Sequence, residues 1–193
     1  MKKIDVTLKG IAPLLMHSPR GVDPTDPLQK KMREITSKGS KKKTAADLLE
    51  QDWLEFQLAI YYENGRPVIP DSAILGTLQA GARANRRGRE VQAGVEVADE
   101  FAPLDYAGPR GLRELYDARF VDRRPAGVQK ARVMRVRPRF NEWAVSFRLL
   151  VDDEVMNVAD VKTALDTAGL RCGLLDYRPR FGRFEVTGWK EVV

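Results

Sequence analysis

The chain predicts an α+β fold: a ferredoxin-like β-α-β-β-α-β core with a long insertion after its first strand. Three observations point there. Apolar and polar residues alternate over 3–9, 143–151 and 184–188, the period of half-buried strands. Apolar residues recur at helical spacing over 71–82 and 157–169. With a basic alternating stretch at 128–138, the order becomes strand, helix, strand, strand, helix, strand, the split β-α-β arrangement of antiparallel strands backed by two helices. The 193 residues are 43% apolar and 31% charged, which suits one globular domain, 1–193, and excludes disordered, collagen-like and coiled-coil chains.

In the first strand Ile4, Val6 and Leu8 share one side, and Asp5, Thr7 and Lys9 the other. An apolar extension follows from Gly10 to Leu15, where Pro13 argues against the middle of a sheet. Residues 18–62 read as an insertion. It comprises a proline-bearing basic loop, a short helix at 45–52 and a strand. Thr44 caps that helix with Asp47 three residues on. In the strand, Leu54, Phe56, Leu58, Ile60 and Tyr62 alternate with Glu55, Gln57, Ala59 and Tyr61. Asn64-Gly65 then turns the chain into a returning hairpin arm.

Asp71 or Ser72 is the expected cap of the first core helix, whose Ile74, Leu75, Leu78 and Ala82 form an inward stripe. Gly76 and Gly81 weaken it as a helix and imply a neighbour packed close; Gly88 reads as its stop. Residues 89–118 are weakly patterned and read as an irregular connection. In the basic strand Arg135, Arg137 and Arg139 lie on one side, and a bulge or twist near Val133 is needed to align Lys130 and Arg132 with them. Trp143 to Val151 form the next strand, Asn157 caps the second helix, Gly169 ends it, and Phe184 opens the last strand.

One cysteine, Cys172, excludes an intrachain disulfide and a Cys-cluster zinc site, and one histidine, His17, excludes a two-histidine metal site. No apolar run approaches the roughly 20 residues of a membrane span. The opening MKKIDVTLKG is broken by Asp5, Thr7 and Lys9, unlike a signal peptide, so the cytoplasm is the expected location. Charge is unevenly placed. The chain carries +6, while residues 110–139 hold ten basic residues against three acidic ones, +7 on their own. The expected contacts there are Arg123, Arg124, Lys130, Arg132, Arg135, Arg137 and Arg139. Lys41, Lys42 and Lys43 form a second cluster, and Arg83, Arg86 and Arg87 a third. Such concentration favours a polyanion, whose neutralised phosphates release counterions. Arginines on alternate strand positions stand about 6.5–7 Å apart, near the phosphate spacing of an extended single strand.

The most informative stretch is GLRCGLLDYRPRFGRFEV, residues 169–186. It is a helix end, a loop holding Gly173, Gly182, Arg178, Arg180 and Arg183, and the start of a strand. Glycines permit close backbone approach, guanidinium groups and exposed N–H groups suit phosphates, and Tyr177 or Phe181 offers a ring for a base. The same loop also reads as an ordinary helix-to-strand connection whose aromatics, Phe184 above all, fill the core.

Three blocks, GLLDYRPRFGRFEV, ENGRPVIPDSAILGTLQAGAR at 63–83 and VTLKGIAPLLMHS at 6–18, together resemble the RAMP (repeat-associated mysterious protein) superfamily. The likeness is to the backbone subunits that coat guide RNA in CRISPR effector complexes, including relatives encoded alone or by phages. It implies a modified RNA-recognition-motif-like fold with an insertion, RNA held along its backbone, and subunits assembled side by side. Leu174, Leu175 and Asp176 depart from the family loop, which carries more glycine or polar residues, and the short chain leaves little room for a full thumb element. Some members cleave target RNA with an aspartate after the first strand and a metal ion. Asp23 and Asp26 lie in that region, where Asp-Pro pairs also form turns. Others process RNA with a histidine near the first helix or in that same loop, and His17 is the one histidine present.

The resulting expectation is a non-catalytic protein that binds single-stranded RNA, with DNA left open. It is expected to act as a homo-oligomer or ribonucleoprotein subunit in antiviral defence or a phage setting. No cofactor, metal ligand, catalytic residue or membrane partner is assigned. The alternatives are a metal-dependent endoribonuclease using Asp23 or His17, and a phage protein that binds single-stranded DNA or interferes with CRISPR complex assembly.

Overall fold

The computed structural model describes residues 1–39, 42–128 and 131–192. Its elements run β1 (Lys2–Gly10), β2 (Leu14–Leu15), α1 (Pro27–Thr36), α2 (Ala45–Ala59), β3 (Tyr62–Glu63), β4 (Arg66–Pro70) and α3 (Asp71–Ala82). There follow α4 (Gly88–Gly94), β5 (Val95–Val97), β6 (Phe101–Asp105), α5 (Leu112–Asp117), β7 (Val121–Val128) and β8 (Ala131–Phe140). The chain closes with β9 (Ala144–Val151), α6 (Val158–Arg171) and β10 (Phe184–Val192). They fall into two compact units, one of Met1–Leu14, Tyr62–Ala107 and Phe140–Val193, the other of Leu15–Tyr61 and Gly108–Arg139.

In the first unit the sheet runs β10-β1-β9-β6-β4-β3, with β5 also paired to β9. The pairings are antiparallel. Stripped of its additions this is the split β-α-β order, and the fold is the α+β ferredoxin-like class that the alternation predicts. Ile4, Val6 and Leu8 are buried on one face of β1, and Val145, Phe147 and Leu149 on the same face of β9. The open face is polar: Arg148 forks onto Asp5, and the Thr7 and Ser146 hydroxyls bond at 2.9 Å. The two core helices pack tightly because Gly81 has no side chain; a Cβ there would stand 2.1 Å from the Ala164 carbonyl. Gly76, by contrast, has nothing within 4 Å.

Several local expectations change. The second core strand is β5 with β6, drawn from the stretch read as irregular, which also forms α4 and α5. The basic stretch instead joins a separate sheet of order β2-β8-β7, and the β7–β8 register is unbroken from Val121↔Pro138 to Val128↔Ala131, with no bulge at Val133. Of the predicted strand over 54–62, only Tyr62 is in a strand, the short β3, and residues 54–59 form the second half of α2. There Leu54, Glu55, Phe56, Leu58 and Ala59 are all buried, so a helix embedded over a wide arc mimics alternation. Pro70, not Asp71 or Ser72, is the residue preceding α3, and no side chain caps it. Gly88 opens α4, since Arg86 (φ 62°) takes the left-handed turn after α3. Gly169 lies within α6 under Phe184, where a Cβ would meet the Phe184 carbonyl at 2.3 Å. The Asn64-Gly65 turn and the Asn157 cap form as expected, the Asn157 side chain accepting from the Asp160 N–H at 2.8 Å.

Thr44 and Asp47 form the reciprocal capping box that starts α2, and Lys38 Nζ donates to Asp47 at 2.6 Å. The Lys38 hydrogen bond, then the Thr44 backbone N–H, hold the Asp47 pKa down at about 2. A carboxylate depressed in the folded state contributes stability that is complete above its unfolded pKa and fades as pH falls through the folded one. The helix start is therefore expected to weaken between roughly pH 4 and pH 2, and Asp47→Asn should remove that step from an acid titration followed by backbone NMR of residues 44–48.

Candidate nucleic-acid interface

The loop 172–183 connects α6 to β10 in the first unit. Its neck is closed by backbone bonds: Leu174 N–H donates to the Gly182 carbonyl at 2.8 Å, and Gly182 N–H donates to the Pro13 carbonyl at 2.8 Å. Ile11 N–H donates to the Arg183 carbonyl at 2.9 Å, tying the end of the loop to the extension of β1. Both glycines are left-handed (Gly173 φ 78°, Gly182 φ 72°), and so are Leu175 (62°) and Tyr177 (59°). A Cβ on Gly182 would lie 2.0 Å from the Leu174 carbonyl, and one on Gly173 would lie 2.5 Å from the Phe181 carbonyl. The close approach that the glycines permit is thus made by the chain's own backbone. Leu175 and Tyr177 hold a conformation that costs a non-glycine residue about 1–2 kcal/mol.

This closure buries Leu174, Phe181 and Phe184 and leaves Arg178, Arg180 and Arg183 exposed, with no carboxylate partner among the described residues. Of the two rings considered for stacking, Phe181 is in the core at 6% exposure, while Tyr177 is 43% exposed and meets Phe181 edge-on. An open cleft of about 540 Å³ lies between Ala80 of α3 and Arg171, Leu175, Tyr177 and Arg178. Arg171, exposed in the last turn of α6, belongs to this surface and escaped the sequence reading, although a basic residue in a helix's last turn just before such a loop is a usable signal.

The Arg83 cluster sits elsewhere on the helix pair. Thr77 Oγ1 donates to the Gly173 carbonyl, whereas Arg87 reaches Asp160 in the first turn of α6. The loop and Arg86–Arg87 therefore lie toward opposite ends of α6, a helix of 14 residues and about 21 Å. Arg83 and Arg86 are exposed without carboxylate partners among the described residues. Arg87 is different: the hydrogen bonds it donates to Glu90, then to Asp160, raise its pKa and commit it internally.

In the second unit the expected row of free guanidiniums is not what forms. Arg123 donates to Asp52 at 3.0 Å and to the Tyr116 hydroxyl at 2.8 Å. Arg135 Nη1 donates to Glu55 at 2.7 Å. Arg124 pairs with Asp122, and Arg139 stands 3.5 Å from the same buried carboxylate. Arg137, opposite Asp122 in register, is 7% exposed. Strand alternation could not show this, because Asp52 and Glu55 come from α2, far away in sequence. Arg132 and Lys42 are exposed, and Lys43 donates to Gln51 at 2.9 Å. Lys41 and Lys130 lie outside the described residues. Sequence reading also missed the Trp53–Tyr116 contact with Arg113 stacked 5.2 Å from the Trp53 ring.

Asp23 accepts from Thr25 N–H at 2.8 Å and from its hydroxyl at 2.7 Å, and these bonds lower its pKa. Asp26 caps α1 and pairs with Arg20. Both act as turn and cap residues here. His17 is exposed beside buried Ser18. Among the described residues no three His, Cys, Asp or Glu side chains group as metal ligands, and no helix is long and apolar enough to cross a membrane.

No protein-family model matches the chain, and no curated protein matches it in sequence. Among solved structures it is similar to a chain in the cryo-EM structure of the Type III-B Cmr-beta complex bound to cognate target RNA, with a TM-score of 0.56 and 12% identity. The match covers 99% of this chain and 60% of that one. At this identity the likeness is one of fold alone.

Two substitutions probe these placements. Gly182→Ala should cost about 3 kcal/mol, from overpacking against Leu174 and a disfavoured φ. A urea midpoint equal to wild type would show that the loop neck opens freely. Asp122→Ala should lower stability by about 2 kcal/mol, since it leaves Arg124 and Arg139 without their shared carboxylate, again read from urea unfolding of the full chain.

Proposed function

We propose that this chain is a CRISPR-associated, non-catalytic protein that binds single-stranded RNA along its sugar–phosphate backbone and assembles side by side on that strand. The observation that carries the reading is the loop 172–183, in which a backbone pinned at Gly173 and Gly182 projects three arginines that no carboxylate among the described residues neutralises. Arginine forks onto phosphate oxygens and is weakly hydrated, so a rigid group of such side chains binds phosphates at low entropic cost. Tyr177 supplies one exposed ring for stacking a base, a contact that tolerates any sequence. Arg171 and Arg83 extend the positive surface along the α3–α6 pair.

The sheet's open face does not serve in the manner of an RNA-recognition motif, because Asp5–Arg148 and Thr7–Ser146 occupy it where stacking aromatics would be needed. A fold shared with a chain from an RNA-bound complex supports the same ligand class. The contribution of the second unit to binding is expected to be small, since Arg123, Arg124, Arg135 and Arg139 are engaged with carboxylates.

Fluorescence anisotropy of unrelated single strands over a salt series tests this. Each phosphate neutralised contributes about −0.7 to the slope of log K against log salt for single strands, so replacing Arg178, Arg180 and Arg183 together by Ala should flatten it by about 2. Affinity should fall alike for every RNA sequence. A slope unchanged by the triple replacement, or tighter binding of DNA than RNA of equal sequence, would count against the proposal.

A further inference from the structure

We infer that a cavity in the second unit is a nucleobase site. It encloses about 410 Å³ among α1, α2, β8 and the segment before α1, inside the roughly 300–1,000 Å³ range of small-ligand pockets. Its lining divides by chemistry. Leu58 and Val133 supply apolar wall, and Gln29, Gln51, Glu55 and Arg135 supply hydrogen-bonding groups.

The charges in that lining are already spent on each other. Glu55 accepts from Arg135 Nη1 at 2.7 Å and from the Val136 N–H at 3.0 Å. A phosphate entering here would have to compete with a near-buried carboxylate for the guanidinium, so the cavity disfavours an anion. The amides are less committed. Gln51 Oε1 accepts from Lys43 at 2.9 Å, which leaves its NH₂ group for a ligand. The half-buried Gln29 side chain has no hydrogen-bond partner among the described residues. Apolar walls for the faces of a ring, with amide donors and acceptors for its edge, describe an uncharged planar heteroaromatic. A glutamine amide matches the paired donor and acceptor on an adenine edge.

Such a base has two sources, a free nucleoside or a nucleotide turned out of a bound strand. Only the second rests on the RNA-binding reading above. Two arms separate them: calorimetric titration of the full chain with adenosine and with cytidine, and fluorescence of a single-stranded oligonucleotide bearing one 2-aminopurine. Each is run on wild type, on Gln29→Leu and on Val133→Trp, whose indole fills the cavity from a rim position that is 37% exposed. Adenosine binding weakened at least tenfold by either variant establishes the site for a free nucleoside. A 2-aminopurine signal abolished by either variant, at anisotropy-measured strand affinity within threefold of wild type, establishes it for a strand-borne base. Signals in both arms that neither variant alters, or no signal in either arm, overturn the inference. If the oligonucleotide itself fails to bind, the loop reading falls while the adenosine arm still decides the cavity.

Discussion

Gly182 occupies a point where three segments of backbone meet with no room for a side chain. Its carbonyl receives the Leu174 N–H, its own N–H reaches the Pro13 carbonyl, and a Cβ would collide with Leu174 at 2.0 Å. That constraint joins the end of α6, the extension of β1 and the start of β10. Phe181 and Leu174 lie in the core, and Arg178, Arg180 and Arg183, between and beyond them, are exposed. The loop's chemistry follows from the closure of its neck.

The electrostatics of the two units differ for a related reason. In the first unit the loop arginines Arg178, Arg180 and Arg183 are exposed and have no carboxylate partner among the described residues. In the second, α2 supplies Asp52 and Glu55 to arginines of β7 and β8. Asp122 gathers Arg124 and Arg139 on the hairpin itself. A segment with a charge of +7 in sequence therefore presents much less than that to a ligand. Its arginines serve largely to hold the unit together and, at Arg135, to neutralise one wall of a cavity.

Helix and strand boundaries show the same division between local and distant causes. The α6 cap at Asn157, the capping box of Thr44 and Asp47 and the Asn64-Gly65 turn each depend on atoms within a few residues, and all three form where the pattern places them. The second half of α2 carries a strand-like pattern because Leu54, Phe56 and Leu58 alternate in sequence while Glu55 and Ala59 are buried as well. Glu55 is tolerated there only because Arg135 and the Val136 N–H satisfy its carboxylate. The weakly patterned stretch after α3 gained β5 and β6 from pairing with β9, a partner that no local window contains.

By itself the amino-acid order determined the fold class, the two core helices, most strands of the main sheet and the loop ahead of β10 as the place to look for a ligand. These depend on periodicity and on capping and turn chemistry, which act over a few residues. Tertiary structure alone decided which arginines are available, which ring is exposed and what the glycines accommodate. Those outcomes depend on carboxylates and carbonyls brought close from distant parts of the chain, and such proximity has no trace in local pattern.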